Sequence, residues 1–127
     1  MPASTIAIVD PDTTFLDETA KFLQEAGYTT RLYSTLTNTY HALCDNQPDV
    51  VMIELHFPDS KHGIDLVTLL KLRDETRTLP IIMVSTDIPF LSACGERLRE
   101  RAVPGVWTLP KPLDRDEVLR VLRQVVK

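Results

Sequence analysis

The side chains able to do chemistry in this chain stand at the ends of short apolar runs. Asp10 and Asp12 flank Pro11 after TIAIV, and Glu54 closes VVMIE. Ser85, Thr86 and Asp87 follow IIMV, and Lys111 precedes Pro112 after VWTLP. Carboxylates, hydroxyls and an ammonium can pair with one another, and a charge-assisted hydrogen bond among them is stronger than a neutral one. The cysteines Cys44 and Cys94 and the histidines His41, His56 and His62 fit no metal-binding spacing. His56 and His62 fall near the run ends and carry the side chain that titrates near neutral pH, but for all three histidines an ordinary surface role is the expectation.

The runs themselves predict what holds these residues. Thr5–Val9, Tyr28–Tyr33, Val50–Glu54, Ile81–Ser85 and Val106–Leu109 read as strands. IAIV, VVMI and IIMV are continuously apolar rather than alternating, as in strands covered on both faces by helices. Helical spacing fills the intervals. Phe15, Leu16, Thr19, Ala20, Phe22, Leu23 and Ala26 form one stripe with Gly27 at its stop. Thr35–Asp45 is a weaker, polar helix; a third runs from about Ile64 to Thr76. A fourth, roughly Pro89–Ala102, is interrupted by Gly95. A fifth opens on Asp114 and Glu117, spaced as a capping box. Strand and helix repeated five times predict one open parallel sheet with right-handed crossovers, a single domain over residues 1–127. Ligands of such sheets sit beyond the carboxyl ends of the strands, where the residues above lie.

Composition sets limits. With 127 residues, 43% hydrophobic and 25% charged, the chain has the balance of one globular domain. It should bury about two thirds of its unfolded surface. No apolar stretch approaches the ~18 residues that cross a bilayer. MPASTIAIVDPD lacks the plan of a secretory signal, and Cys44 and Cys94, far apart and in no CxxC spacing, make a reducing cytoplasm the expectation. Residues 1–65 carry ten acids against three bases, and residues 66–127 eight acids against eleven bases, for a net charge of −4. That acidity argues against direct nucleic-acid binding. Most of the basic excess is Arg97, Arg99, Arg101, Arg115, Arg120 and Arg123, which read as solvated helix faces that would attract an acidic partner.

In order and spacing, IVDPD, PDVVMIEL, PIIMVST and LPKPL resemble a response-regulator receiver domain over essentially the whole chain. The resemblance implies a three-layer (βα)5 doubly wound sandwich with a five-stranded parallel sheet in flavodoxin-like order 2-1-3-4-5. It also implies a phosphorylated aspartate ending the third strand, an acidic pair holding Mg2+, a hydroxyl ending the fourth strand, and a lysine before a cis proline. These roles fall on Glu54, on Asp10 and Pro11, on Ser85, and on Lys111 with Pro112. An aromatic residue before the lysine usually follows the state of the hydroxyl; Thr108 stands there, with Trp107 beside it.

Two positions depart chemically. Pro11 offers no carboxylate to a hard cation, and Asp12, one position further on, is expected to cap the first helix. Glu54 is longer than aspartate by one methylene, roughly 1.5 Å. A displacement of ~1 Å of a reacting group can cost about a hundredfold in rate. The expectation is a degenerate receiver that is not phosphorylated in the usual way, is not an enzyme and needs no cofactor. Any weak Mg2+ would rest on Asp10, Glu54 and the His56 backbone. The longer Glu54 arm should reach the Lys111 ammonium and the Ser85 hydroxyl, either standing in for the phosphorylated state or forming an ion pair without signalling meaning. Trp107 is an interface candidate on the face of helix four, strand five and helix five, with packing beneath helix four the favoured alternative. Thr108 has little surface to swing, and FPDSKHG is one residue longer than the usual turn.

The function expected is a two-component signalling module acting by protein contact. Its partners would be a histidine kinase, an output domain, another regulator or a second copy of the chain through that face. The chain would be either a stand-alone regulator or a piece of a longer protein. An active phosphoacceptor using Glu54 or a neighbour with Asp10 and Asp12 is the alternative. A small flavin protein is a distant third, because DPDTTF sets two carboxylates where a phosphate would lie.

Overall fold

A computed structural model describes residues 3–58 and 62–126. Strands β1 (Thr5–Val9), β2 (Thr29–Tyr33), β3 (Val50–Glu54), β4 (Ile81–Ser85) and β5 (Val106–Pro110) form one parallel sheet in the order β2-β1-β3-β4-β5. Helices α1 (Thr13–Glu25), α2 (Thr39–Asp45), α3 (Gly63–Leu72), α4 (Ile88–Glu100) and α5 (Arg115–Val125) connect and follow them. The alternation of side chains across each strand divides the core. Ile6, Ile8, Met52, Ile82 and Leu109 pack with Leu16, Leu23, Val118 and Leu122 of α1 and α5. Ala7, Val9, Ile53 and Met83 pack with Leu43, Leu66, Leu70 and Leu91 of α2, α3 and α4. Every residue of β3 and β4 is buried, which is why these two strands read as unbroken apolar runs.

Carboxylate caps start three helices on the side that bears the site. Asp12 accepts from Thr14 N and Phe15 N at 3.0 and 3.1 Å, Asp87 from Phe90 N at 3.1 Å, and Asp114 from Glu117 N at 3.1 Å. Each satisfies amides that have no partner within the helix.

Three helices differ from their sequence pattern, each for a local reason. Residue Asn38 is left-handed, at φ 64°, so α2 begins at Thr39 rather than Thr35. Arg73 is extended, which ends α3 at Leu72. The stretch beyond it is held by side chains instead of a ladder: Thr76 Oγ1 donates to Leu70 O at 2.5 Å, and Lys71 Nζ to Arg77 O and Leu79 O at 3.0 and 2.9 Å. Helix α4 runs unbroken through Gly95, whose missing Cβ makes room for β5; a Cβ there would lie 3.1 Å from Thr108 Cγ2.

Candidate functional site

The carboxyl ends of β1, β3, β4 and β5 converge on one pocket. Lys111, the first residue after β5, is aligned by its own N–H, which donates to Ser85 O at 3.0 Å. Its ammonium then reaches across the sheet and donates to Asp10 Oδ2 at 2.6 Å and to Glu54 Oε1 at 2.7 Å. Both carboxylates are buried, and the lysine side chain is only 11% exposed. The remaining oxygens are also engaged: Asp10 Oδ1 accepts from Asp12 N at 2.9 Å, and Glu54 Oε2 from His56 N at 3.0 Å. The Phe15 ring closes the outer side, its centroid 4.0 Å from Lys111 Nζ, within cation–π range. One cation thus lies between two anions in a largely buried site, where desolvation opposes the attraction.

The titration of the site reflects this competition. Burial raises the Asp10 carboxyl above the ordinary aspartate range, and the bond from Lys111 only partly offsets it. Burial alone would lower the Lys111 ammonium, but its bonds to Asp10 and Glu54 hold it above its usual value.

Glu54, Asp10 and Lys111 therefore meet as their positions in the sequence suggest, although the short bond from Lys111 to Asp10 was not part of that reading. Ser85 is fully buried, and its hydroxyl does not bind Glu54 as expected; it accepts from Asp87 N at 3.0 Å, within the connection to α4. Asp12 caps α1 rather than entering the pocket. Pro11 is half-buried beside it. The Lys111–Pro112 peptide bond is cis. Thr86, Pro112 and Phe15 line a groove of about 420 Å³ between α1 and the start of α5.

Trp107 is half-buried and packs with the α1 and α5 core, not beneath α4. Strand alternation decides this: Val106 packs toward α4 and Trp107 toward α5. Thr108 is exposed and faces Gly95. The six arginines of α4, α5 and the α4 end are solvent-exposed, as expected for solvated helix faces. His41 and His62 are exposed as well. His56 is exposed too, but its Nε2 donates to Asp87 Oδ2 at 2.9 Å, a contact the sequence reading missed. The signal for it was available, because the two residues follow neighbouring strands. Asp59, Ser60 and Lys61 of FPDSKHG lie outside the described residues, so the length of that turn is not described.

A family model described as a response regulator receiver domain matches residues 6–123. The DNA-binding transcriptional regulator NtrC of Bradyrhizobium sp. (strain RP501 Parasponia) is 29% identical over 123 residues, which cover 96% of this chain and 24% of that protein. The chain thus spans about a quarter of that relative's length. A solved structure described as a response regulator from Chloroflexus aurantiacus J-10-fl superposes with a TM-score of 0.82 at 26% identity, over 98% of this chain and 99% of that one. The receiver domain of a sensor histidine kinase from Pseudomonas aeruginosa PAO1, solved with a magnesium ion coordinated in its active site cleft, shares the fold with a TM-score of 0.79 at 18% identity, over 98% of each chain.

The magnesium ion such a fold implies does not match the donors present here. Mg2+ demands an octahedral set of oxygens. The two pocket carboxylates have all four oxygens engaged by Lys111 and by backbone N–H groups, position 11 is proline, and Asp12 is committed to a helix cap. Among the described residues, no three or more His, Cys, Asp or Glu side chains are grouped so as to hold a metal.

Proposed function

The chain belongs to the response regulator receiver family, and from that membership we propose that it serves two-component signalling as a phosphorylation-independent receiver. In this reading Glu54 and Lys111 form a standing ionic contact where other receivers would build one through a phosphoryl group. The observation that carries it is the 2.7 Å bond from Lys111 Nζ to Glu54 Oε1, made while the same ammonium binds Asp10 at 2.6 Å. The ammonium takes up the charge balance that a divalent cation would otherwise supply. The lengthened acceptor is already spent on it, which leaves phosphoryl transfer without a free nucleophile.

The module would act by contact and without turnover or cofactor, on a histidine kinase, an output domain, another regulator or a second copy through the face formed by α4, β5 and α5. Two facts support an output module among its partners: the chain matches about a quarter of a transcriptional regulator, and the receiver fold is the matching part. No described helix is long and apolar enough to cross a membrane, which accords with a cytoplasmic site of action.

Incubation with a small acyl phosphate and excess Mg2+, followed by intact-mass measurement, tests the reading. The expected mass is unchanged. An adduct with the mass of one phosphoryl group would overturn it in favour of an active phosphoacceptor.

A further inference from the structure

The pocket is joined to helix α4 through a side chain that lies outside the ion cluster. Glu54 Oε2 accepts from the backbone N–H of His56 at 3.0 Å. The His56 ring then turns away from the pocket and donates from Nε2 to Asp87 Oδ2 at 2.9 Å, bridging two loops 31 residues apart. The same ring stacks on Phe90, with centroids 4.9 Å apart and planes at 28°. Asp87 is the cap of α4: its other oxygen takes Phe90 N at 3.1 Å, and its own N–H donates to the buried Ser85 hydroxyl at 3.0 Å. His56 therefore grips the first turn of α4 twice, through the capping carboxylate and through the third residue of the helix. Its backbone meanwhile reports the position of Glu54.

We propose that His56 is a positioning residue that couples the Glu54–Lys111 contact to the first turn of α4. The inference rests on the reading of Glu54 given under Proposed function and says how that contact is passed on. β5 offers no comparable route, because Thr108 is a small exposed residue whose methyl group faces Gly95.

The chemistry of Glu54 makes the link testable. Its carboxylate accepts from two donors at once, Lys111 Nζ and His56 N. A glutamine has one acceptor and one NH2 group. If its carbonyl faces Lys111, its NH2 meets the His56 N–H; if its carbonyl faces His56, its NH2 meets the ammonium. Glu54→Gln must therefore give up one contact, and with the ammonium as the stronger donor the His56 contact is released.

Native-state hydrogen exchange of the Phe90 and Leu91 amides reads the outcome. Glu54→Gln is expected to speed their exchange about two- to thirtyfold, the range set by coupling along hydrogen-bonded networks. In a His56→Ala background the same change should alter exchange by less than about twofold, because the link is already cut. His56→Gln restores an amide donor to Asp87 and should restore the response, which a merely structural role would not do. The Val118 amide of α5 serves as the control and should not respond. An equal response with and without the His56 ring, or no response of α4 at all, overturns the link. The two readings fail separately: a phosphoryl adduct on a protein whose α4 responds defeats the standing contact alone, whereas an unlabelled protein whose α4 is indifferent to Glu54 defeats the link alone.

Discussion

Lys111→Met is the most informative single perturbation of the ion cluster. It keeps an unbranched, flexible side chain of similar length and removes the ammonium that binds Asp10 at 2.6 Å and Glu54 at 2.7 Å. Both carboxylates remain buried, with side chains 1% and 8% exposed, and now face each other without a cation. Removing one member of a buried ionic cluster while the others stay costs about 3–5 kcal/mol. That is a large part of the ~5–15 kcal/mol that stabilises a domain, and it corresponds to about 2 M in the urea midpoint. The deficit should depend on pH. Burial already raises the Asp10 carboxyl, and without Lys111 it loses the bond that partly offsets that rise; a group with a raised folded pKa contributes stability below its unfolded pKa that is lost as pH rises. The variant should therefore be weakest at neutral pH and recover as pH falls into the acid range, where the Asp10 carboxyl regains its proton. In the native protein the Lys111 pKa is itself raised, so its contribution is complete below the usual 10.5 and is lost only as pH rises through the higher value. Urea unfolding followed by Trp107 fluorescence, near pH 7 and pH 4.5, measures both effects, because Trp107 packs against the core. A variant within about 0.5 kcal/mol of the native protein at neutral pH, or a deficit that does not change with pH, would refute the reasoning.

Asp10→Asn tests the opposite sign. The Asp10 pKa is raised by burial, so wild-type stability is favoured below 3.8 and declines as pH rises through the raised value; thermal unfolding across pH 4–7 should move progressively in favour of the variant, about 4 being the lower bound of the useful window. Gly63→Ala should cost about 3 kcal/mol in urea unfolding, because a Cβ there would overlap the Glu54 carbonyl oxygen and lie 3.0 Å from Leu55 Cα, neither of which can swing aside. Pro11→Asp combined with Glu54→Asp restores a second carboxylate and the shorter acceptor; this double variant should take up a phosphoryl group from an acyl phosphate with Mg2+, and an unchanged intact mass would show that other parts of the pocket also block transfer.

The sheet was legible because its central strands are buried on both faces, which leaves little room for polar residues in TIAIV, VVMIE and IIMVS. Helix ends were less so. The helical reading of α3 runs on to Thr76 through the polar stretch RDET, which carries no apolar spacing to mark an end; the backbone turns out at Arg73, and the bond from Thr76 to Leu70 O belongs to tertiary context that periodicity does not carry. Gly95 looked like a break because glycine weakens an isolated helix, whereas here its small size lets α4 approach Thr108. At the site, the convergence of Asp10, Glu54 and Lys111 follows from strand-end positions alone. The side of the sheet taken by Trp107 follows from alternation along β5, a register fixed only when the strand is seen in place. The His56–Asp87 bond was overlooked because each residue, taken singly, has the character of an ordinary surface group.

In the proposed function Lys111 holds the place of a cation and Glu54 the place of a phosphoryl oxygen. Titration with Mg2+ and then beryllofluoride, followed through the amide shifts of Asp12, His56, Ser85 and Lys111 and through Trp107 fluorescence, examines both places at once. The prediction is flat traces for all of them over the full range of additions. A saturable shift that needs Mg2+ and deepens with beryllofluoride would mean that the pocket opens to both ligands, and the standing ionic contact would have to be given up.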